Sequence, residues 1–125
     1  MKELKSPILR AQLRLMIEDE IALGPGKADL LDAIRETGSI SAAGKKMGMS
    51  YRRAWLLVDT MNRCFQQALV ETVKGGLHGG GTQLTSLGEQ VLHQYREIQS
   101  EIEVITRKHF QTLQPFLRKK PLVVN

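Results

Sequence analysis

Residues 39–64, SISAAGKKMGMSYRRAWLLVDTMNRC, are the stretch that decides the fold this sequence predicts. In its first part, small and apolar residues recur at three- and four-residue spacing, at Ile40, Ala43, Gly44 and Met47. This spacing predicts a short helix with a thin apolar face. Gly48 follows where that helix must end, because a residue without a Cβ readily takes the left-handed conformation that reverses the chain. A second helix after so short a turn makes a helix-turn-helix.

The second helix is predicted to begin after Ser50, whose side chain suits the N-cap position. Its inward face is predicted to carry Ala54, Trp55, Val58, Met61 and Asn62. We expect Trp55 to fill the core between the two helices, and Tyr51 to serve either the core or a phosphate. The exposed N-terminal end, the end of a recognition helix that enters the major groove of DNA, then carries Ser50, Tyr51, Arg52 and Arg53. A helix pair without a DNA-binding role is the alternative, since small residues near a glycine turn are common.

Behind this helix pair, residues 69–85 predict a β-hairpin. Apolar and β-branched runs at 69–73 and 82–85 flank a glycine-rich loop with a floppy tip. In this position the hairpin is a wing, whose polar groups and glycine amides are expected to approach phosphates. The predicted wing contacts are Lys74, Gly75, Gly76, His78, Gly79, Gly80, Gly81 and Thr82. A nucleotide-binding loop is disfavoured. The P-loop and the GxGxxG motif both need a helix after the glycines, whereas a β-like run follows the glycines here.

Before the helix pair, the sequence predicts the order strand, strand, helix. Residues 9–17 alternate apolar and polar side chains, which is the period of a half-buried strand, and residues 21–23 are expected to pair back after an acidic turn. A helix is expected from Pro25 up to Gly38. Its core-facing residues are predicted to be Leu30, Leu31, Ala33 and Ile34. The predicted fold class is mainly α with small β-hairpins, a winged helix-turn-helix over residues 9–85.

One long helix is predicted from Ser86 to about Leu113, with an apolar stripe at alternating steps of four and three. The stripe consists of Leu87, Val91, Tyr95, Ile98, Ile102, Ile105, His109 and Leu113. Such a stripe is typical of a seam between two helices, so residues 86–113 are predicted to be a dimerisation helix of a homodimer. A stripe that packs on its own domain is the alternative. Residues 114–125 are predicted to form a flexible basic tail.

The charge of the 125-residue chain favours a polyanionic partner. The formal net charge is +5 at pH 7, and residues 39–64 contribute five cations against the single Asp59. These cations are Lys45, Lys46, Arg52, Arg53 and Arg63. Supporting DNA contacts are expected from Ser39, Ser41, Lys45 and Lys46. The single cysteine and the lack of a long apolar span predict a soluble cytoplasmic protein without a membrane partner, and no catalytic or metal-binding constellation is recognisable.

The elements GSIS, MSYRRAW, LVET, the polyglycine loop and LTSLGE together resemble the N-terminal DNA-binding domain of the ModE family of molybdate-responsive transcription regulators. A more distant resemblance is to the winged helix of LysR-type regulators. With LGPGKADLLDAIRETGS upstream, the resemblance spans roughly residues 10–115. It departs from the usual helix-turn-helix pattern at Gly44, where Ala is common, at a cost of up to about 1 kcal/mol of helix propensity.

The resemblance implies a transcription regulator that binds double-stranded DNA. Together with the stripe on the last helix, it leads us to expect a homodimer on a palindromic operator. Because the sequence ends at Asn125, we expect the family's molybdate-binding domains to be absent from this chain, and therefore no cofactor here and a separate sensor protein if molybdate acts. The alternative is a winged helix that binds proteins, or an auxiliary regulator without direct base readout. That alternative would not need Arg52, Arg53 and Lys74 together on one surface.

Overall fold

The computed structural model describes residues 6–76 and 79–124. The elements in chain order are β1 (Leu15–Ile17), β2 (Glu20–Leu23), α1 (Pro25–Thr37), α2 (Ile40–Lys46), α3 (Tyr51–Cys64), β3 (Val70–Gly76), β4 (Gly79–Leu84), α4 (Ser86–Leu113) and a 3-10 turn (Gln114–Phe116). β1 pairs antiparallel with β2, and β3 with β4, in two separate two-stranded sheets. This order is the predicted winged helix-turn-helix, with all four α-helices at the predicted places.

Two compact units divide the chain, one of residues 12–97 and one that combines the N-terminal residues up to Ala11 with those from Ile98 onward. The boundary between these units on the C-terminal side lies within α4. Among the described residues, no helix is long and apolar enough to cross a membrane.

The first predicted strand is much shorter than its alternating pattern indicated. Only Leu15–Ile17 pairs with β2, and all three of its residues are exposed. The register shifts between Leu15 and Met16, which ends the regular pairing. Just upstream, the backbone carbonyl of Leu13 accepts a hydrogen bond of 2.7 Å from the Tyr95 hydroxyl of α4. This part of the chain is therefore held by a side chain of α4 and not by a strand.

The helix pair is held at close range by small residues. Ala43, Gly44 and Ala54 are buried where α2 crosses α3. A Cβ built on Gly44 would lie only 3.0 Å from the Cβ of Ala54, so glycine permits an approach that alanine would oppose. This close crossing explains why Gly44 stands where the helix-turn-helix pattern usually has alanine. It also leaves no room for a tryptophan, and the prediction that Trp55 fills the core was wrong, since its side chain is 47% exposed.

The first half of α4 belongs to the core of its own unit. Tyr95 is only 4% exposed, so assigning it to a dimer seam was wrong, while Leu87 and Val91 are partly buried against the same core. At Gly88 a Cβ would lie 2.1 Å from the carbonyl oxygen of Leu69, so the helix backbone rests directly on the backbone before β3. Burial raises the pKa of the Tyr95 hydroxyl, which stays protonated as a hydrogen-bond donor.

Ion pairs between α1 and α4 neutralise the charges on that side of the unit. Arg96 contacts Asp29 at 2.8 Å and Asp32 at 2.5 Å, and Arg35 contacts Asp32 at 2.7 Å and Glu89 at 2.9 Å. These two arginines are therefore already engaged with carboxylates. The cations available to a polyanion must lie elsewhere in the chain.

The wing is a more regular hairpin than the glycine content predicted. Its ladder runs from Val70 opposite Leu84 to Gly76 opposite Gly79, with a register shift between Val73 and Gly76. Its glycines at 75–76 and 79–81 thus lie within the two strands, and the prediction of a glycine loop between short strands was wrong for them. The base of the hairpin is clamped by Asn62 of α3, whose side chain bonds the backbone N–H groups of Leu69 and Val70 and the carbonyl of Val70.

Candidate nucleic-acid interface

The N-terminal end of α3 is built as predicted. Ser50 has an extended backbone, and its hydroxyl oxygen accepts a hydrogen bond of 3.1 Å from the backbone N–H of Arg53. The preceding reversal is made by Gly48, which has a left-handed φ of 71°. The capped end projects Arg52, Arg53 and a 58% exposed Tyr51 into solvent. Tyr51 therefore does not serve the core.

The N-terminus of α2 resembles that of α3, because it also has a serine cap and an exposed first turn. Ser39 caps it, accepting a hydrogen bond of 3.1 Å from the backbone N–H of Ala42, and Ser41 in the first turn is exposed. Neither α2 nor α3 has an acidic residue in its first turn. The positive ends of both helix dipoles are therefore not neutralised, which favours phosphate groups.

Only part of the predicted cationic surface is free of acidic partners. Within residues 6–76 and 79–124, the exposed Lys45, Arg52 and Arg53 form no ion pair. Lys46, by contrast, pairs with Glu36 of α1. Arg63 pairs with Asp59 at 3.0 Å, and this hydrogen bond raises the pKa of the guanidinium. The sequence count of five cations against one acid thus overstated the available charge, which concentrates at the start of α3.

The wing contributes fewer free groups than the sequence indicated. Lys74 is exposed on β3, while His78 lies outside the described residues. The backbone N–H of Thr82 donates a hydrogen bond of 2.9 Å to the carbonyl of Gly38 at the end of α1, and a Cβ on Gly81 would lie 2.9 Å from the same oxygen. Thr82 and Gly81 therefore anchor the wing to α1, and the Thr82 amide is not available to a phosphate.

Two apolar side chains at the reading end were missed by sequence reasoning. Trp55 and Leu56 are each 47% exposed in the first two turns of α3. The helical spacing placed Trp55 with the inward residues because it comes one residue after the buried Ala54 and three before the buried Val58, although it lies about 60° of rotation beyond Val58 around the helix. The signal that could have corrected this is the small volume of Gly44 and Ala54, since a close helix crossing excludes a large plug.

The second unit carries the remaining residues of the predicted dimer seam. Ile98, Ile105 and His109 are exposed there and Ile102 is half-buried. Val104, outside the predicted stripe, is also exposed. Over the part of the chain that the structure describes, no group of three or more His, Cys, Asp and Glu side chains could hold a metal ion.

Comparison with known proteins gives close relatives and no matching protein-family model. The chain is 40% identical over 93 residues to the molybdenum transport protein ModE of Azotobacter vinelandii, covering 74% of this chain and 34% of that protein. It is 37% identical over 101 residues to the transcriptional regulator ModE of Yersinia pestis, covering 81% of this chain and 37% of that protein. To the DNA-binding transcriptional dual regulator ModE of Escherichia coli it is 36% identical over 83 residues, or 66% of this chain and 32% of that protein.

Solved structures agree on the fold. The crystal structure of the CbnR DNA-binding domain in complex with DNA superposes with a TM-score of 0.52 at 20% identity, covering 74% of this chain and 97% of that one. A LysR family transcriptional regulator superposes with a TM-score of 0.54 at 14% identity, covering 70% of this chain and 28% of that one. The chain spans about a third of the length of its ModE relatives. In sequence, and with a winged helix-turn-helix fold, the chain is thus similar to ModE proteins over about a third of their length.

Proposed function

We propose that this protein is a transcription regulator that binds double-stranded DNA in the cytoplasm by inserting the N-terminal end of α3 into the major groove. The observation that carries the proposal is the pair Arg52 and Arg53, exposed and without an acidic partner in the described residues, at a helix end with no acid in its first turn. The ModE relatives named as transcriptional regulators and the DNA complex of a structural neighbour support the same function.

In this function the arginines read base edges or hold adjacent phosphates. A guanidinium that bonds both acceptors of a guanine contributes roughly 1–3 kcal/mol of discrimination against another base. Lys45, in the last turn of α2, and the N-terminus of α3 hold the flanking phosphates and so fix α3 in register. Lys46 makes a weaker contribution, because binding a phosphate must compete with its ion pair to Glu36.

Lys74 of the wing contacts the phosphate backbone in this proposal and adds affinity without sequence preference. We expect Lys74→Ala to weaken binding to all duplexes alike and to flatten the plot of log affinity against log salt by about one unit. The measurement is a fluorescence-anisotropy titration of labelled duplexes at several salt concentrations. An unchanged slope would remove Lys74 from the phosphate contacts.

We further propose a homodimer on a palindromic operator, joined through the second half of α4. Ile98, Ile102 and Ile105 recur there at helical spacing, and Ile105 leaves more than half of its surface in water. Full burial of an exposed isoleucine contributes about 1.5–3 kcal/mol, so covering the surface that these side chains still expose offsets part of the cost of association. A two-fold dimer then requires inverted half-sites with centres about one turn of DNA apart, or a multiple of it.

The test of this function is selection of duplexes from a random library by the wild-type chain, followed by titration of the enriched duplex at two salt concentrations. A DNA-binding regulator enriches an inverted repeat, whereas a protein-interaction module enriches nothing. Ile98→Glu with Ile105→Glu is expected to give a folded monomer in sedimentation equilibrium, with sharply weaker binding to the full site and little change on a half-site. A double variant that remains a dimer would contradict the assignment of α4.

A further inference from the structure

We infer that Trp55 is a specificity-determining residue of α3, whose indole face packs on the C5-methyl group of a thymine in the major groove. The inference rests on the proposed DNA binding and adds to it an apolar component of base readout. Its starting point is the 47% exposure of Trp55, a large aromatic side chain that the domain leaves half in water. The core of α3 is made instead by Ala54, Val58 and Met61.

The position of Trp55 on α3 aims it at the same groove as Arg52. Trp55 lies four residues after Tyr51, so the two aromatic side chains share one side of the helix, and Tyr51 is 58% exposed. Arg52 is three residues before Trp55 and also neighbours it on the helix surface. The nearest acidic neighbour toward the C-terminus, Asp59, is bonded by Arg63 at 3.0 Å.

The cations beside Trp55 decide between DNA and a protein as the partner of this aromatic surface. An apolar protein surface that covered Trp55 would also desolvate Arg52, which has no acidic partner in the described residues. In the major groove the same arginine meets guanine acceptors or phosphates. There the one apolar group that a base edge offers is the thymine methyl, which apolar side chains contact in direct readout.

The chain itself supplies a direct probe, since Trp55 is its only tryptophan. The duplex to be used is the one enriched by the wild-type chain from a random library. We expect its addition to protect the Trp55 fluorescence from quenching by acrylamide. Unchanged quenching in the presence of saturating duplex would overturn the inference, because an indole packed on a base edge cannot remain open to the quencher.

The decisive measurement replaces each thymine of one half-site in turn by deoxyuridine, which removes only the methyl group. At the contacted thymine the wild-type chain is expected to bind about fourfold more weakly, equivalent to ~0.8 kcal/mol for one buried methyl-sized group. Trp55→Ala is expected to bind the thymine and deoxyuridine duplexes equally, with an unchanged salt slope because no ionic contact is lost. Trp55→Phe is expected to retain most of the discrimination.

Matched controls separate this role from a general effect on folding. Met16 on β1 has the same 47% exposure but lies outside the proposed surface, so Met16→Ala should keep the full thymine discrimination. Circular dichroism of Trp55→Ala should match the wild type, because the core of α3 is untouched. If no thymine is sensitive, or if Trp55→Ala discriminates as well as the wild type, the inference is wrong although DNA binding stands. If the library yields no enriched duplex, the proposed function itself fails.

Discussion

The two ends of α3 differ in what their polar side chains do. At the C-terminal end, Asn62 makes three hydrogen bonds to the backbone at the base of the wing, and Arg63 is paired with Asp59. At the N-terminal end, Arg52 and Arg53 are exposed and have no ion pair in the described residues. One helix thus places its satisfied polar groups where the fold needs them and its unsatisfied charges where a ligand can reach them.

A small domain can in this way combine stability with binding. Buried or partly buried polar groups stabilise only when their hydrogen bonds are complete, which holds at Asn62. Exposed cations contribute little to folding, so Arg52 and Arg53 can be selected for a partner at almost no cost in stability. We therefore expect substitutions at the two ends of α3 to separate stability from DNA binding.

The largest effect is expected at Asn62. Asn62→Ala removes the side-chain oxygen that accepts hydrogen bonds from the backbone N–H groups of Leu69 and Val70. It also removes the side-chain N–H that donates to the Val70 carbonyl. Leaving these partly buried backbone groups unpaired should lower the free energy of unfolding by about 2–4 kcal/mol. Chemical denaturation measures the loss. Asn62→Asp keeps the acceptor oxygens and should lose less, and equal losses for the two variants would contradict the role of the accepted bonds.

A smaller effect, on binding alone, is expected at the N-terminal end. Arg52→Ala and Arg53→Ala should each weaken binding to the enriched duplex by about 1–3 kcal/mol where the arginine reads a base, with stability within about 0.5 kcal/mol of the wild type. Arg63→Ala, on the same helix, is the matched control and should bind nearly as the wild type does at a salt concentration that screens the charge it removes. If Arg63→Ala weakens binding as much as Arg52→Ala, the division of α3 into two ends is wrong.

Ser50, which caps α3, is expected to affect both stability and DNA binding. Ser50→Ala removes the oxygen that accepts the Arg53 N–H and should lower the free energy of unfolding by about 1 kcal/mol. The N-terminal turn that carries Arg52 and Arg53 should fray, so DNA affinity is expected to fall as well, whereas Ser50→Asp should retain the cap. Denaturation and anisotropy titrations measure both. Normal binding by a destabilised Ser50→Ala would show that the cap serves folding alone.

Much of this architecture was predictable from the sequence, because it depends on local rules. The end of α2 and the start of α3 follow from Gly48 and Ser50, and the start of α4 at Ser86 was placed correctly from its spacing. These signals act over one or two turns and need no knowledge of what packs on them. The cap at Ser50 and the exposure of Arg52 and Arg53 were therefore confirmed, while the contact of these arginines with DNA stays a prediction.

What the sequence could not supply were contacts between distant segments. The burial of Tyr95 depends on the Leu13 carbonyl, and the wing is anchored through Thr82 to Gly38. Trp55 lies at the edge of the inward face of α3, and the close approach of Gly44 to Ala54 leaves no room to draw it into the core. Likewise, the pairing of Lys46 with Glu36 joins two helices, so a count of charges along the sequence did not reveal it.

The smallest effect on stability is expected from a substitution that gives the C-terminal end of α3 an unpaired arginine, as the N-terminal end already has. Asp59→Asn removes the partner of Arg63, so the outward face of α3 gains a free cation and loses an anion. Loss of this exposed pair should cost about 0.3–0.5 kcal/mol of stability. A charge at groove distance, screened by solvent, contributes up to about 1 kcal/mol, so DNA affinity should rise by up to about fivefold at low salt.

Because the gain is electrostatic, it should fade as salt is raised and should be equal on matched and scrambled duplexes. Asp59→Asn with Arg63→Ala is the control and should lose part of the gain. If Asp59→Asn weakened binding, Asp59 would itself contact a base, and the C-terminal end of α3 would have to be counted as part of the reading surface.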